Sequence, residues 1–237
     1  MHSASTPGTD VAERHSRILF TDVATGHLRP FGATDRLLLS STGAPWGDVL
    51  KLEEYRIPPR YETQEYCPSD NGLAMRLSTP GTVEVRIAGE RAHYGVVMPG
   101  DLNLLSQGVP RWARWEQETE LLFLTLAPTF LAAVAAAEAP VECLAFMNRC
   151  AFQDAAISHL MWALRAELQA GRPAGRLYGE SLATALAVHL LRRYAGHLSA
   201  GDIPPGGLPP ARLRITLRHS SSRAPVTPPI STCYGSG

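Results

Sequence analysis

The segment between Asp154 and Tyr194 carries the clearest periodic pattern in the chain, and it limits the folds available to the rest. Asp154 stands where an N-cap carboxylate would accept hydrogen bonds from free backbone N–H groups, and Gly171 stands where a C-terminal cap belongs. Between them, apolar residues recur at intervals of three and four, along one helical face: Ile157, Leu160, Met161, Leu164 and Leu168. The pattern predicts an amphipathic helix.

A second helix is predicted after the short connection 171–175. Leu182, Leu186, Leu190 and Tyr194 repeat every four residues. Arg192 and Arg193 fall in the last turn, where positive charge interacts favourably with the helix dipole. Because the connection is short, the two helices are expected to lie side by side and antiparallel.

This helical hairpin is expected to join two copies of the chain in a homodimer. The stretch 182–191 is apolar around much of its circumference, which is more than one buried face requires. The alternative is that the hairpin only closes the core of its own domain. The predicted dimer contacts are Leu160, Leu164, Leu168, Leu182, Leu186 and Leu190.

Upstream of the hairpin, the apolar period changes to two, which predicts β-strands. Val83, Val85 and Ile87 alternate with polar residues, and the turn dipeptide Pro80-Gly81 predicts a hairpin with the preceding run 73–77. Further strands are predicted at Val49–Ile57, His93–Met98, Leu102–Ser106, Trp112–Trp115 and Leu121–Leu126. Short strands separated by turns indicate an antiparallel barrel or sandwich. Since the strands come first and the helices last, the fold class is α+β.

The chain is therefore divided into four parts. We predict a flexible leader at 1–17, a β-barrel at 18–127, a helical dimerisation region at 128–198, and a linker with a disordered tail at 199–237. The tail is predicted to be disordered because Ile215–Gly237 has no acidic residue and no sustained apolar period.

Composition bounds the partners and the compartment. The formal net charge is +0, which argues against a general polyanion binder. The 4 cysteines are scattered, without C-x-x-C spacing, as is typical of a reducing compartment. No apolar stretch is long enough for a membrane span, and the polar N-terminus does not resemble a signal peptide. We expect a soluble cytoplasmic protein without a membrane partner.

Motifs for catalysis are missing from the sequence. A metal-binding barrel needs converging histidines, but the chain has no His-x-His, and His93 is the only histidine in the predicted strands. It also has no Gly-x-Ser-x-Gly elbow and no glycine-rich nucleotide loop. The sequence thus predicts no metal, no cofactor, no catalytic residue and no enzymatic activity.

Aromatic residues on the strands are the candidates for ligand binding. Tyr55, Trp112 and Trp115 lie on predicted strands, and Arg111 and Arg114 flank the two tryptophans, with Arg114 as the candidate ligand-binding arginine. An aromatic wall with a nearby guanidinium could hold a small anionic or planar ligand. The alternative is that these aromatic side chains pack in the core.

Four motifs resemble the effector-binding part of AraC-type transcriptional regulators. They are "PWGDVLKLEEYRIPP", "MPGDLNLLSQGVPRW", "LTLAPTFL" and "GRLYGESLATALAVHLLRRYAG", and the likeness runs from about Ser40 to Arg214. The resemblance implies a bacterial regulator with a cupin-like barrel that binds an unknown small-molecule effector, and a helical hairpin that pairs protomers. It also implies that DNA is bound only through a separate helix-turn-helix domain.

The sequence departs from this family in two places. Gly108–Trp112 has an arginine where many cupins place a metal-binding histidine, which favours ligand binding over catalysis. The segment "GGLPPARLR" normally leads into the first DNA-binding helix, but here Ile215–Gly237 follows, and a helix-turn-helix pair needs roughly 100 residues. The sequence thus suggests a truncated or frame-shifted regulator without its DNA-binding domain. The alternatives are a stand-alone module that modulates a full-length relative, and a cupin enzyme.

Overall fold

A computed structural model describes residues 18–31, 36–138, 145–171, 174–196 and 214–215. Within these residues, strands dominate the first half and helices the second. The predicted leader at 1–17 and almost all of the predicted tail at 199–237 lie outside the described residues.

Two antiparallel sheets form the body of the fold. Within the described residues, the larger has the order β2-β1-β6-β11-β8-β9, with β5 also paired to β11, and the smaller has the order β10-β7-β12-β4-β3. The strands of the larger sheet are β1 (Leu19–Asp22), β2 (Leu28–Pro30), β5 (Tyr61–Glu62), β6 (Tyr66–Pro68), β8 (Gly81–Ile87), β9 (His93–Val97) and β11 (Arg111–Trp115). Those of the smaller sheet are β3 (Leu37–Ser40), β4 (Leu50–Ile57), β7 (Gly72–Arg76), β10 (Leu102–Leu105) and β12 (Thr119–Leu126).

Two short pairs and three helices complete the described elements. The antiparallel pair is β13 (Ala145–Phe146) with β15 (Ala195–Gly196), and the parallel pair is β14 (Arg149–Cys150) with β16 (Arg214–Ile215). The helices are α1 (Pro128–Glu138), α2 (Ala155–Gln169) and α3 (Arg176–Tyr194). The whole is a cupin-like antiparallel β-barrel followed by an antiparallel helical hairpin, which confirms the predicted α+β fold class.

The predicted hairpin between 73–77 and 83–87 is wrong. In the structure β7 pairs with β10 and β12 in the smaller sheet, whereas β8 pairs with β9 and β11 in the larger one. Pro80-Gly81 therefore connects two sheets. The burial patterns give the reason, because every residue of β7 is buried, as in a central strand, while β8 alternates between buried and partly exposed residues.

The smaller sheet is covered on both of its faces. One apolar cluster fills the space between the two sheets and includes Tyr55, Trp115 and Phe123. A second cluster lies between the smaller sheet and the helices and includes Leu122, Leu164 and Leu186. Burial on both faces explains why Leu121–Leu126 is apolar at every position except Thr125, which is itself buried.

The helices begin and end close to where the sequence places them. The Asp154 carboxylate caps α2 as predicted, because its Oδ1 accepts hydrogen bonds from the N–H groups of Ala156 (3.1 Å) and Ile157 (3.3 Å). Gly171, just after α2, has a φ of 61°, in the left-handed region that glycine adopts at helix C-termini. None of the described helices is both long and apolar enough to cross a lipid bilayer.

Candidate functional site

A small cavity lies inside the barrel, between the two sheets. Its volume is ≈ 40 Å³. Its walls combine apolar and aromatic side chains with five polar ones, and all of the polar ones are cationic or neutral. The lining residues are Tyr66, Ala74, Arg76, Val83, Val85, Val97, Asn103, Leu105, Arg111, Ala113, Trp115, Leu121, Phe123, Cys150 and Ala151.

Arg111 is the most unusual residue in this cavity. Its side chain is only 3% exposed, yet it forms no ion pair with any carboxylate in the described part of the chain. Its Nη1 donates to the backbone carbonyl of Leu104 (2.6 Å), and its Nη2 donates to Cys150 Sγ (3.3 Å). Because isolated buried charges are costly, a guanidinium in this position needs an explanation.

Arg76 supplies a second buried guanidinium to the cavity. Its Nε donates to the carbonyl of Thr79 (2.8 Å), but its Nη2 has no hydrogen-bond partner among the described residues. Gly81 makes room for it, since a Cβ there would lie 3.0 Å from Arg76 Cζ. Burial lowers the pKa of Arg76, and the nearby Asp101 carboxylate opposes that effect.

The remaining polar groups of the cavity are neutral. Burial raises the pKa of the Cys150 thiol and of the Tyr66 phenol, and the charge of Arg111 offsets this only in part. Both groups therefore keep their protons at neutral pH. Asn103 Oδ1 accepts from the N–H of Ala151 (3.0 Å), a residue held in the left-handed region with a φ of 49°.

A wider cleft lies beside this cavity, under strands β1 and β2. Its volume is ≈ 320 Å³, and Tyr66 lines both spaces. Buried Asp22 pairs with Arg29 at its edge and accepts a hydrogen bond from the N–H of Thr25 (2.9 Å). The other lining residues are Phe20, Pro30, Phe31, Tyr61, Thr63 and Gln64. In this cleft the cation already has a carboxylate partner.

The structure does not bring the four predicted ligand-binding residues together. On β11, Trp115 points inward and lines the cavity, whereas Trp112 and Arg114 point to the outer face. Trp112 Nε1 donates to Glu62 (3.0 Å), and Arg114 pairs with Glu84 (2.9 Å). Tyr55 is buried in the inter-sheet core, where its hydroxyl donates to Glu53 (2.8 Å).

The sequence predicts neither Arg111 nor Arg76 as a ligand-binding residue, because charged residues are normally assigned to the surface. Arg111 stands out only as the arginine that replaces a metal-binding histidine in Gly108–Trp112. The alternation of β11 carried a usable signal, however. Once Trp115 is placed inside, residues 113 and 111 share its face, since side chains alternate along a strand. No comparable pattern pointed to Arg76, because β7 is buried on both faces.

The leucines predicted to contact a second copy also contribute to the core of the protomer. Leu164, Leu186 and Leu190 are fully buried between the hairpin and the barrel. The other three are partly buried and pack against the same core: Leu160, Leu168 and Leu182. The large apolar side chains that the described part of the hairpin exposes are Trp162, Leu177 and Tyr178. The dimer contact stays a prediction, and these three extend the candidate surface.

A polar network joins the start of α2 to the end of α3. Asp154 Oδ2 accepts a hydrogen bond from the Tyr194 hydroxyl (2.7 Å) and contacts His189 Nε2 (2.8 Å). Burial acts to raise the pKa of Asp154, but hydrogen bonds from His189, Tyr194 and the Ile157 N–H outweigh it and lower the pKa to about 2. His189 thus has the structural role of a paired histidine.

No metal-binding group appears among the residues that the structure describes. Within them, no three side chains of histidine, cysteine, aspartate or glutamate come together in a way that could hold an ion. The acidic side chains of the segment 61–71 each pair with a nearby side chain instead: Glu62 with Trp112, Glu65 with Arg86, and Asp70 with Lys51.

Comparison with known proteins gives similarities only at the level of solved structures. No family model matches the chain, and no curated protein matches it. A cupin domain from Bordetella pertussis is 18% identical over 33% of this chain and 82% of that one, with a TM-score of 0.30. A single-substitution variant of the oxalate decarboxylase of Bacillus subtilis is 18% identical over 49% of this chain and 31% of that one, with a TM-score of 0.33.

A third similar structure is salicylate 1,2-dioxygenase from Pseudoaminobacter salicylatoxidans, in adducts with gentisate. It is 21% identical over 36% of this chain and 22% of that one, with a TM-score of 0.30. Two of these three proteins are enzymes, and this chain spans less than a third of either. The prediction that the chain is not an enzyme does not stand, since a decarboxylase and a dioxygenase are among the similar structures.

Proposed function

We propose that this chain is the ligand-binding and dimerising part of a bacterial transcription regulator of the AraC type. In this proposal the barrel cavity takes a small-molecule effector, and the helical hairpin joins two protomers. The observation that carries the proposal is a contact between two of the four motifs on which the resemblance rests. Trp46 of "PWGDV" packs directly against Gly179 of "GRLYGES".

This contact supports the proposal because it interlocks the barrel and the hairpin. Trp46 is 1% exposed, and a Cβ at Gly179 would lie 2.7 Å from Trp46 Cβ and closer still to the ring carbons Cγ and Cδ1. Only glycine leaves space for an indole in that position. Two of the motifs that resemble the family thus meet where the barrel packs against the hairpin.

A second contact supports the coupling of these parts. Arg165 of α2 forms a bidentate ion pair with Glu54 of β4. Its Nε donates to Oε2 (2.7 Å) and its Nη2 donates to Oε1 (2.9 Å). On either side of Glu54 in β4 stand Glu53 and Tyr55, and the Tyr55 hydroxyl donates a 2.8 Å hydrogen bond to Glu53. Strand β4 therefore borders both the inter-sheet core and the hairpin. A change on one side of a rigid, packed strand can bias the other side, which is what a sensor requires.

The test of this proposal is the mass of the full chain in solution. At micromolar concentration, light scattering should give twice the monomer mass of 25.7 kDa. Leu177→Glu should shift the chain toward monomers, since Leu177 is 78% exposed on the hairpin and a charge there would oppose an apolar contact.

The matched control is Leu28→Glu. Leu28 is also exposed, at 60%, but it lies on β2 of the barrel. This variant should keep the dimeric mass. A monomeric wild-type chain would overturn the proposal, and so would a dimer that Leu28→Glu breaks and Leu177→Glu leaves intact.

A further inference from the structure

We infer that the barrel cavity binds a short-chain carboxylate whose charge is balanced by Arg111. This inference rests on the proposed function and specifies the chemical class of its ligand. The juxtaposition that carries it is a buried guanidinium without a carboxylate partner in the described part of the chain, facing a cavity whose other polar groups are cationic or neutral.

The charge balance inside the barrel points to an anion. Two guanidinium groups, those of Arg76 and Arg111, line the cavity, and no acidic side chain of the described residues does so. Arg76 has some compensation from Asp101, although that carboxylate accepts its own hydrogen bonds from the Met98 N–H (2.8 Å) and from Gln153 (3.0 Å). Arg111 has no such compensation among the residues described. Buried charges in proteins are normally paired, so a ligand that carries the missing negative charge would complete the site.

The hydrogen-bonding groups around Arg111 agree with this inference. The Leu104 carbonyl and Cys150 Sγ hold the guanidinium in place and leave its other N–H groups for a ligand. A planar guanidinium matches a carboxylate in charge and in spacing. Asn103 uses its oxygen to bind the Ala151 N–H, so its NH₂ group is what remains, and the Tyr66 hydroxyl keeps its proton.

The size and the walls of the cavity set the size of the ligand. A cavity needs about 10–15 Å³ for each water molecule that it holds, so ≈ 40 Å³ corresponds to about three waters. A carboxylate with a short alkyl chain fits this space, with the chain against Val83, Val85 and Val97. Drug-sized ligands need a pocket of roughly 300 Å³ or more, and they do not fit.

The test is thermal unfolding of the full chain in sodium formate, acetate and propionate and in sodium nitrate and phosphate, with sodium chloride at the same ionic strength as the reference. Binding to the native state raises the unfolding temperature in a saturable way. We expect that rise with at least one carboxylate and not with chloride. In Arg111→Met the apparent Kd should increase roughly 10- to 100-fold, because a charge-assisted hydrogen-bonded contact is lost.

Arg114→Met is the matched control, because Arg114 lies on the same strand but points to the outer face. It should bind like the wild type. Without ligand, Arg111→Met should be at least as stable as the wild type, since replacing an unpaired buried charge with an apolar side chain removes a desolvation cost. If Arg111→Met does not fold, Arg111→Lys is used instead. It should weaken binding because lysine keeps the charge but cannot bind a carboxylate in the bidentate manner of a guanidinium.

Three responses of the unfolding temperature to the added salts would overturn the inference. They are an equal response to carboxylates and chloride, an equal response of the wild type and Arg111→Met, and a response to nitrate or phosphate alone, which would assign the site to inorganic oxyanions. Binding of a neutral metabolite that Arg111→Met does not affect would overturn the carboxylate site and leave the sensor function standing. A monomeric wild type that still binds carboxylates through Arg111 would overturn the proposed sensor function and leave the carboxylate site standing.

Discussion

Asp154→Ala is expected to lower the free energy of unfolding by about 2–4 kcal/mol, because this one carboxylate binds groups both at the start of α2 and near the end of α3. Oδ1 caps α2 through the N–H groups of Ala156 and Ile157, and Oδ2 accepts from Tyr194 and contacts His189. Alanine removes the cap and leaves the Tyr194 hydroxyl, in a residue that is 1% exposed, without its acceptor. The loss should be seen as a lower midpoint in urea unfolding, with an unchanged slope.

Asp154→Asn is the matched control for this variant. An amide oxygen still caps a helix and still accepts a hydrogen bond, so the loss should be smaller than with alanine. If the free energy of unfolding of Asp154→Ala lies within about 0.5 kcal/mol of the wild-type value, the network does not stabilise the hairpin.

The same network predicts how stability depends on pH. The pKa of Asp154 falls from 3.8 to about 2 on folding, so its contribution is present above about pH 4 and is lost as the pH falls through 2. Burial, and then the hydrogen bond to Asp154, raises the pKa of Tyr194 from 10.0 to about 12, so its contribution is present below pH 10 and is lost as the pH rises through 12. Urea unfolding across pH should show both losses in the wild type and a weaker acid loss in Asp154→Ala. Identical acid profiles would contradict the assignment.

Gly179→Ala is expected to cost about 3 kcal/mol, near the upper end of what overpacking a core costs. The new Cβ would clash with Trp46, which is fully buried and cannot move aside. The sign of the effect is informative. In an exposed helix interior, replacing glycine with alanine stabilises by about 1 kcal/mol, so destabilisation can come only from the clash.

Urea unfolding of three variants tests this expectation. Ser181→Ala, at an exposed position of the same helix, should stay close to the wild type. Trp46→Leu should be destabilised on its own, but adding Gly179→Ala to it should cost less than it does in the wild type, because the smaller side chain makes room. A Gly179→Ala chain that is more stable than the wild type would refute the interlocking contact.

The helical half of the fold followed from the sequence because its signals are local. Asp154 precedes a strict apolar period, and the cap and the helix are where that pattern puts them. The signals that give the strand positions are also local, but those that decide which strands pair are not. Whether 73–77 pairs with 83–87 depends on which sheet each strand joins, and Pro80-Gly81 is compatible with a hairpin as well as with a crossing between sheets.

The site was harder to predict than the fold for two physical reasons. An apolar period shows that Leu164 and Leu186 are buried, but it does not show whether the burying surface is the barrel of the same chain or a second copy. A buried arginine breaks the pattern on which sequence reasoning depends, so Arg111 was not selected as a ligand-binding residue although Trp115, on the same face of β11, was.

A thermal-shift screen of small metabolites, run in parallel on the wild type and on Ala113→Leu, tests directly whether the barrel interior is the ligand site. Ala113 lies on the cavity wall between Arg111 and Trp115, and a leucine there would fill the space that a ligand needs. If the barrel interior is the ligand site, a compound that raises the unfolding temperature of the wild type should have little effect on Ala113→Leu. Equal stabilisation of both chains would place the ligand outside the barrel cavity and rule out the barrel as the sensor site.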